Sequence, residues 1–127
     1  LKKLLFVLAV LFMTVSLGYC SGATYSSAIS SNSVSLASGT TIYASGAYAQ
    51  GIYVVNTCST TDLLLTFVDG GAKGTQRFQV LCSKGSDKFI SFTDTVRQIN
   101  FNTNVYVYAD NALANSLSTI TFFYDRK

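Results

Sequence analysis

From residue 51 to residue 124 the chain alternates short aliphatic and aromatic runs with polar or glycine-rich breaks, a pattern that leaves few folds open. The sharpest instance is Leu63-Leu64-Leu65-Thr66-Phe67-Val68, then Asp69-Gly70-Gly71-Ala72-Lys73-Gly74, then Arg77-Phe78-Gln79-Val80-Leu81-Cys82. Asp-Gly and Gly-Gly supply the positive φ angles that a tight turn needs, so this segment reads as a hairpin. Further strands are expected over residues 40–44, 51–56, 88–92, 96–101, 105–109 and 118–124, with a short edge strand near 33–36. No long window after the N-terminal segment carries a helical period. About 7–9 short strands at roughly 8–12-residue spacing predict an all-β fold, an antiparallel β-sandwich of jelly-roll or immunoglobulin-like connectivity.

Alternation also assigns faces, because successive side chains of a strand point to opposite sides. Val105, Val107 and Ala109 share one side, with Tyr106 and Tyr108 on the other. Ile120, Phe122 and Tyr124 share a face, as do Leu63, Leu65 and Phe67, while Phe89 lies opposite to Ile90. The expected core is Ile52 or Val54 with Leu63, Leu65, Phe67, Phe78, Val80, Ile90, Val105, Val107, Ile120 and Phe122.

The first residues have another character. Lys2 and Lys3 precede an apolar run over residues 4–15, and the small residues Ser16, Gly18 and Ser21 follow. That is the layout of a secretory signal, and the run is shorter than the ~20 residues a bilayer span uses. Residues 1–20 are therefore read as a signal peptide or membrane anchor, and residues 21–32, rich in Ser, Ala, Gly and Thr, as a flexible lead. The sandwich domain is placed at 33–127. Leu17 and Gly18 resemble the start of a lipobox, which makes Cys20 a candidate lipidation site, although Tyr19 stands where that motif takes a small residue. In an exported chain Cys58 and Cys82 form a candidate disulfide, set against two buried free thiols in unrelated strands.

Composition removes several chemistries. The chain has no histidine, so a Ser-His-Asp or Cys-His site is excluded, along with the commonest metal ligand. The formal net charge of +3 includes Lys2 and Lys3, and the remaining charges are spread singly, which is no footprint for nucleic acid. Gly70-Gly71-Ala72-Lys73-Gly74-Thr75 lacks the phosphate-loop spacing and precedes a strand, so it reads as a turn. Asp69 and Asp110 sit beside turn residues rather than in a calcium-loop run, and no aspartate pair has a spacing that marks a glycosidase. No cofactor, metal or catalytic residue is expected. Tyr43, Tyr48, Tyr53, Tyr106 and Tyr108 exceed what a small core needs and form a candidate interface, against the alternative of aromatic packing within the monomer.

Residues 52–124 carry a further pattern: Tyr53-Val54-Val55-Asn56-Thr57, the aliphatic strand ending in Asp69-Gly70, and Gly74-Thr75. Lys84-Gly85-Ser86 with the Phe89 strand follows, then the strand over 104–109 and the final aromatic strand over 118–124. In this it resembles a family of small tailed-phage virion proteins with a β-sandwich fold, of head-decoration, head-fibre or tail-associated type. The resemblance implies a non-enzymatic structural subunit, commonly a homo-oligomer, located in the virion. The signal-like N-terminus points elsewhere, to an exported bacterial surface protein or lipoprotein that binds carbohydrate or a partner protein. In that reading the membrane is met only through the N-terminal segment.

Overall fold

The computed structural model describes residues 24–30, 36–92, 99–110 and 118–127, and all of its regular structure is strand. The strands are β1 (Tyr25–Ser30), β2 (Thr40–Tyr43), β3 (Ala47–Asn56), β4 (Leu63–Asp69), β5 (Thr75–Cys82), β6 (Ser86–Ser91), β7 (Ile99–Phe101), β8 (Val105–Ala109) and β9 (Ser118–Arg126). They form two antiparallel sheets. The first has the order β1-β9-β3-β6, with β7 pairing the beginning of β3 on the same edge as β6, and the second has the order β2-β8-β4-β5.

This connectivity is a rolled hairpin. β1 pairs with β9, β2 with β8, β3 with β6 and β7, and β4 with β5, and successive pairs fall alternately in the two sheets. Of the two expected topologies, the chain adopts the jelly roll.

The core lies between the sheets. Both Ile52 and Val54 are fully buried, because residues two apart on β3 share a face, and Leu63, Leu65, Phe67, Val80, Val105, Val107, Ile120 and Phe122 join them. Phe78 and Ile90 are partly buried against this cluster. Rings run through the core in contact: Phe67 stacks on Phe78 at 4.6 Å, Phe101 meets Phe122 edge-on at 5.8 Å, and Tyr43 packs on Tyr124 at 4.2 Å. Aromatic pairs of this kind add about 0.5–1.5 kcal/mol beyond the area they bury.

Two elements differ from the sequence reading. Tyr25–Ser30, within the segment read as a flexible lead, forms β1 against β9. Small polar residues bury little surface, but a strand beside β9 satisfies that strand's outer backbone groups, and this does not require apolar side chains. Tyr25 secures its start, stacked on Tyr124 at 6.0 Å with the Arg126 guanidinium 4.0 Å from its ring centroid. β3 is also longer than expected: it begins at Ala47, and a bulge between Ala49 and Gly51 resets its register on β9. The edge strand expected near 33–36 falls mostly outside the described residues, and Leu36 itself lies in a turn.

The β4–β5 connection is the turn the sequence announces. Gly70 and Gly71 have φ of 98° and 84°, and a Cβ on Gly74 would lie 1.9 Å from the Asp69 carbonyl oxygen. A strand follows, as expected of a turn and not of a phosphate loop.

Candidate assembly surfaces

Three turns (β2–β3, β4–β5 and β7–β8) and the end of β9 meet at one end of the sandwich, here called the near end. Asp69, the last residue of β4, is buried, and its carboxylate accepts the backbone N–H groups of Asn102 at 2.7 Å, Thr103 at 2.8 Å and Asn104 at 3.4 Å. The Arg77 guanidinium reaches it at 2.7 Å, from the extra residue of a bulge in β5 that turns this side chain toward it. Asn104 returns the arrangement, its Oδ1 accepting the N–H groups of Gly70 and Gly71, both at 3.1 Å. Burial pushes the Asp69 carboxyl up, but the Asn102 N–H, Arg77 and the N–H groups of Thr103 and Asn104 outweigh it and hold it at about 2. This carboxylate has its ligands already, all of them donors from the chain. It is a clasp between two turns, not a cation site.

At the far end Asn56 has the same office. It is buried, its amide donates to the carbonyls of Thr61 at 3.0 Å, Cys82 at 3.3 Å and Ser83 at 3.4 Å, and its Oδ1 accepts the Cys58 N–H at 3.1 Å.

Cys58 and Cys82, read from the sequence as either a disulfide or two free thiols, are both free thiols. Cys82 is an inward residue at the end of β5, buried, with its thiol toward the carbonyls of Ser86 at 3.5 Å and Val54 at 3.9 Å. Cys58 lies in the β3–β4 connection, half-buried, with its thiol 3.4 Å from Thr60 Oγ1. The two side chains thus serve different neighbourhoods. The Thr60 hydroxyl and backbone N–H, helped by Thr61, lower the Cys58 thiol to about 7. Cys20 and the rest of residues 1–20 lie outside the described residues.

The five candidate tyrosines are all half-buried. Tyr43 packs on Tyr124, inside the fold. Tyr48 lies under the Lys127 ammonium, 5.1 Å from its ring centroid. Tyr53 donates to Asp87 Oδ2 at 2.8 Å, and that hydrogen bond raises its hydroxyl above the ordinary value. Tyr106 donates to the Ser38 carbonyl at 2.7 Å. Tyr106 and Tyr108 stand across β4 from β5, in register with Val68 and Thr66. Those two β4 residues point outward yet are buried at 3% and 0% exposure, so the tyrosines belong to a covering layer over their own sheet.

Among the described residues the exposed large apolar side chains are others: Phe89 at 62%, Leu81 at 51% and Tyr25 at 37%. Leu81 and Phe89 stand on the two strands that border one side of the sandwich, each on the outer face of its own sheet. There β5 is the edge of one sheet and β6 the edge of the other, and Lys88 of β6 reaches the Leu81 carbonyl at 2.9 Å. That carbonyl therefore points out of its sheet, and Gln79, two residues back, has the same orientation. Phe89 lies over Gly51 and meets Phe123 edge-on at 6.2 Å, on the outer face that also carries Tyr53. Beside it an open groove of about 360 Å³ is lined by Tyr53, Val55, Asn56, Thr57, Gly85, Ser86 and Asp87. The opposition of Phe89 to Ile90 was the sequence signal for this patch. The Asp69 clasp has no such signal, since its backbone N–H donors lie 33 to 35 residues away and Arg77 reaches it only through a bulge.

Comparison with protein-family models and with curated proteins finds no match. Among solved structures the chain is similar to a protein described in the words "Bacillus endospore appendages form a novel family of disulfide-linked pili", at 20% identity, over 83% of this chain and 88% of that one, with a TM-score of 0.49.

Proposed function

We propose that this chain is a non-enzymatic structural subunit that joins copies of itself through the open edges of its sheets. The observation that carries this reading is the β5–β6 side. Among the described residues both sheets end there in a strand with no further strand paired to it, and each edge strand displays a large exposed apolar residue, Leu81 or Phe89. An uncovered, proline-free edge with apolar side chains is a template for another strand. Two features blunt it in the free subunit: the bulge at Arg77 and the Lys88 ammonium on the Leu81 carbonyl. The ammonium is exposed and leaves its carbonyl readily, so pairing requires no unfolding.

The export-like N-terminal segment favours an exported, surface-associated assembly. The virion reading keeps one observation in its favour, the jelly-roll connectivity, which capsid domains also use. Fractionation of the native source separates the two. Recovery in purified particles at fixed stoichiometry supports a virion subunit, and recovery in membrane, surface or secreted material supports the exported assembly. For assembly itself, sedimentation velocity over a hundredfold range of concentration is expected to show species larger than the monomer. A monomer throughout overturns the proposal.

A further inference from the structure

We infer that the near end of the sandwich rests on an anionic phospholipid surface. The inference goes beyond self-assembly and stands on different residues.

β1 begins at the near end, where Tyr25 pairs with Tyr124, so the N-terminal segment joins the domain there. Only Ser21, Gly22, Ala23 and Thr24 separate Cys20 from Tyr25. At 3.3–3.6 Å per residue, an acyl anchor on Cys20 would hold β1 within about 18 Å of the bilayer. A retained apolar segment over residues 4–15 would tether the same end through a slightly longer stretch. Where the segment is acylated or retained rather than cleaved, this end faces the membrane.

The side chains at this end suit that position. Lys73 is exposed on the β4–β5 turn, and Arg126 and Lys127 are exposed at the end of β9. Arg126 and Lys127 are held in place, Arg126 over the Tyr25 ring and Lys127 by Asn102 Oδ1 and the Tyr48 ring. Among the described residues the near end holds two side-chain carboxylates against four cations. Asp69 is buried with Arg77 and three N–H groups, and Asp125 accepts the Gln50 amide at 2.7 Å through Oδ2 while its buried Oδ1 has no hydrogen-bond partner, so the cations exceed the carboxylates by two. The one salt bridge among the described residues is Arg77–Asp69, which leaves Lys73, Arg126 and Lys127 without carboxylate partners there. The far end has the opposite balance among described residues, with Asp62, Asp87 and Asp110 against Lys84 and Lys88. Tyrosines beside cations are the combination that sits at a headgroup layer, the ring in the interface and the charge on phosphate. Each cation near an anionic surface strengthens partitioning roughly fivefold, so three together supply about a hundredfold.

The chain has no tryptophan, which permits a direct test with single-tryptophan reporters. The full chain, N-terminal segment included, is reconstituted into vesicles of phosphatidylcholine alone or with phosphatidylglycerol, both doped with brominated lipid. Ala72→Trp reports the near end and Ser83→Trp the far end. The expected result is several-fold stronger quenching of the Ala72→Trp reporter in the anionic vesicles, reversed by 0.5 M salt, with the Ser83→Trp reporter at background in both. The combined Lys73→Glu, Arg126→Glu and Lys127→Glu variant should reduce the near-end signal to its neutral-vesicle level. Equal quenching of the near-end reporter in the two lipids overturns the inference without needing any charge variant. So does a far-end reporter quenched as strongly, or a correctly melting triple variant that keeps its lipid-charge dependence.

Discussion

Asp69 shows how a single side chain can fix a turn, and it sets an acid limit on the fold. Its carboxyl is held at about 2 in the native state against 3.8 ordinarily, so the native state binds the proton more weakly than the unfolded chain. The stabilisation is complete above pH ~4 and is lost as pH falls toward 2, with a magnitude on the order of 2 kcal/mol. Asp69→Asn keeps the shape but removes the charge and turns one acceptor into a donor facing N–H groups. Urea titrations at pH 7 should show it about 2–3 kcal/mol less stable, and its stability should fall less between pH 4 and 2 than that of the parent. An unchanged pH slope would contradict the clasp. The cysteines give a second prediction at this scale. Cys58 should react with iodoacetamide along a pH profile with its midpoint at about 7, while Cys82 should label only on unfolding. Peptide mapping of the alkylated protein checks both, and a Cys58–Cys82 peptide from native protein would contradict the free thiols.

Strand elements were legible wherever side-chain pattern determines them. The period-2 runs of β4, β8 and β9 and the Asp69-Gly70-Gly71 turn carry their conformation in their own residues. β1 was not legible, because Ser-Ser-Ala-Ile-Ser becomes a strand only through pairing with β9, almost a hundred positions away. The candidate interface was legible only in part, for the same reason. Alternation placed Tyr106 and Tyr108 on an outer face, but their burial depends on how a neighbouring strand presents Thr66 and Val68. Exposed Phe89, by contrast, follows from its opposition to buried-side Ile90. The physics of β1 yields a prediction of its own. As an edge strand paired only with β9, its amides should exchange with deuterium well before those of β3 and β9, which sit inside the sheet. Equal protection across the three strands would show that β1 opens only with the whole domain.

For the molecule as a whole, the jelly roll encloses one core, and its far end is tied by Asn56 as its near end is by Asp69. Phe67 stands at the centre, fully buried and in ring contact with Phe78 and Phe122. Phe67→Ala should cost about 3–5 kcal/mol in denaturant unfolding, against a whole-domain stability of about 5–15 kcal/mol. The outside has less symmetry than this core: one side ends in two open edges with Leu81 and Phe89, and one end gathers cations around the start of β1. Joining of copies at the open side is the central claim, and amide exchange at β5 tests it most directly. The measurement compares the protein at low and high concentration, alongside Leu81→Pro, which removes an outward N–H that the sheet itself does not use. The account predicts that the Gln79 and Leu81 amides of the parent become protected as concentration rises, and that Leu81→Pro stays folded and monomeric. Sedimentation of large species with β5 exchange unchanged, or assembly undiminished in Leu81→Pro, would contradict it.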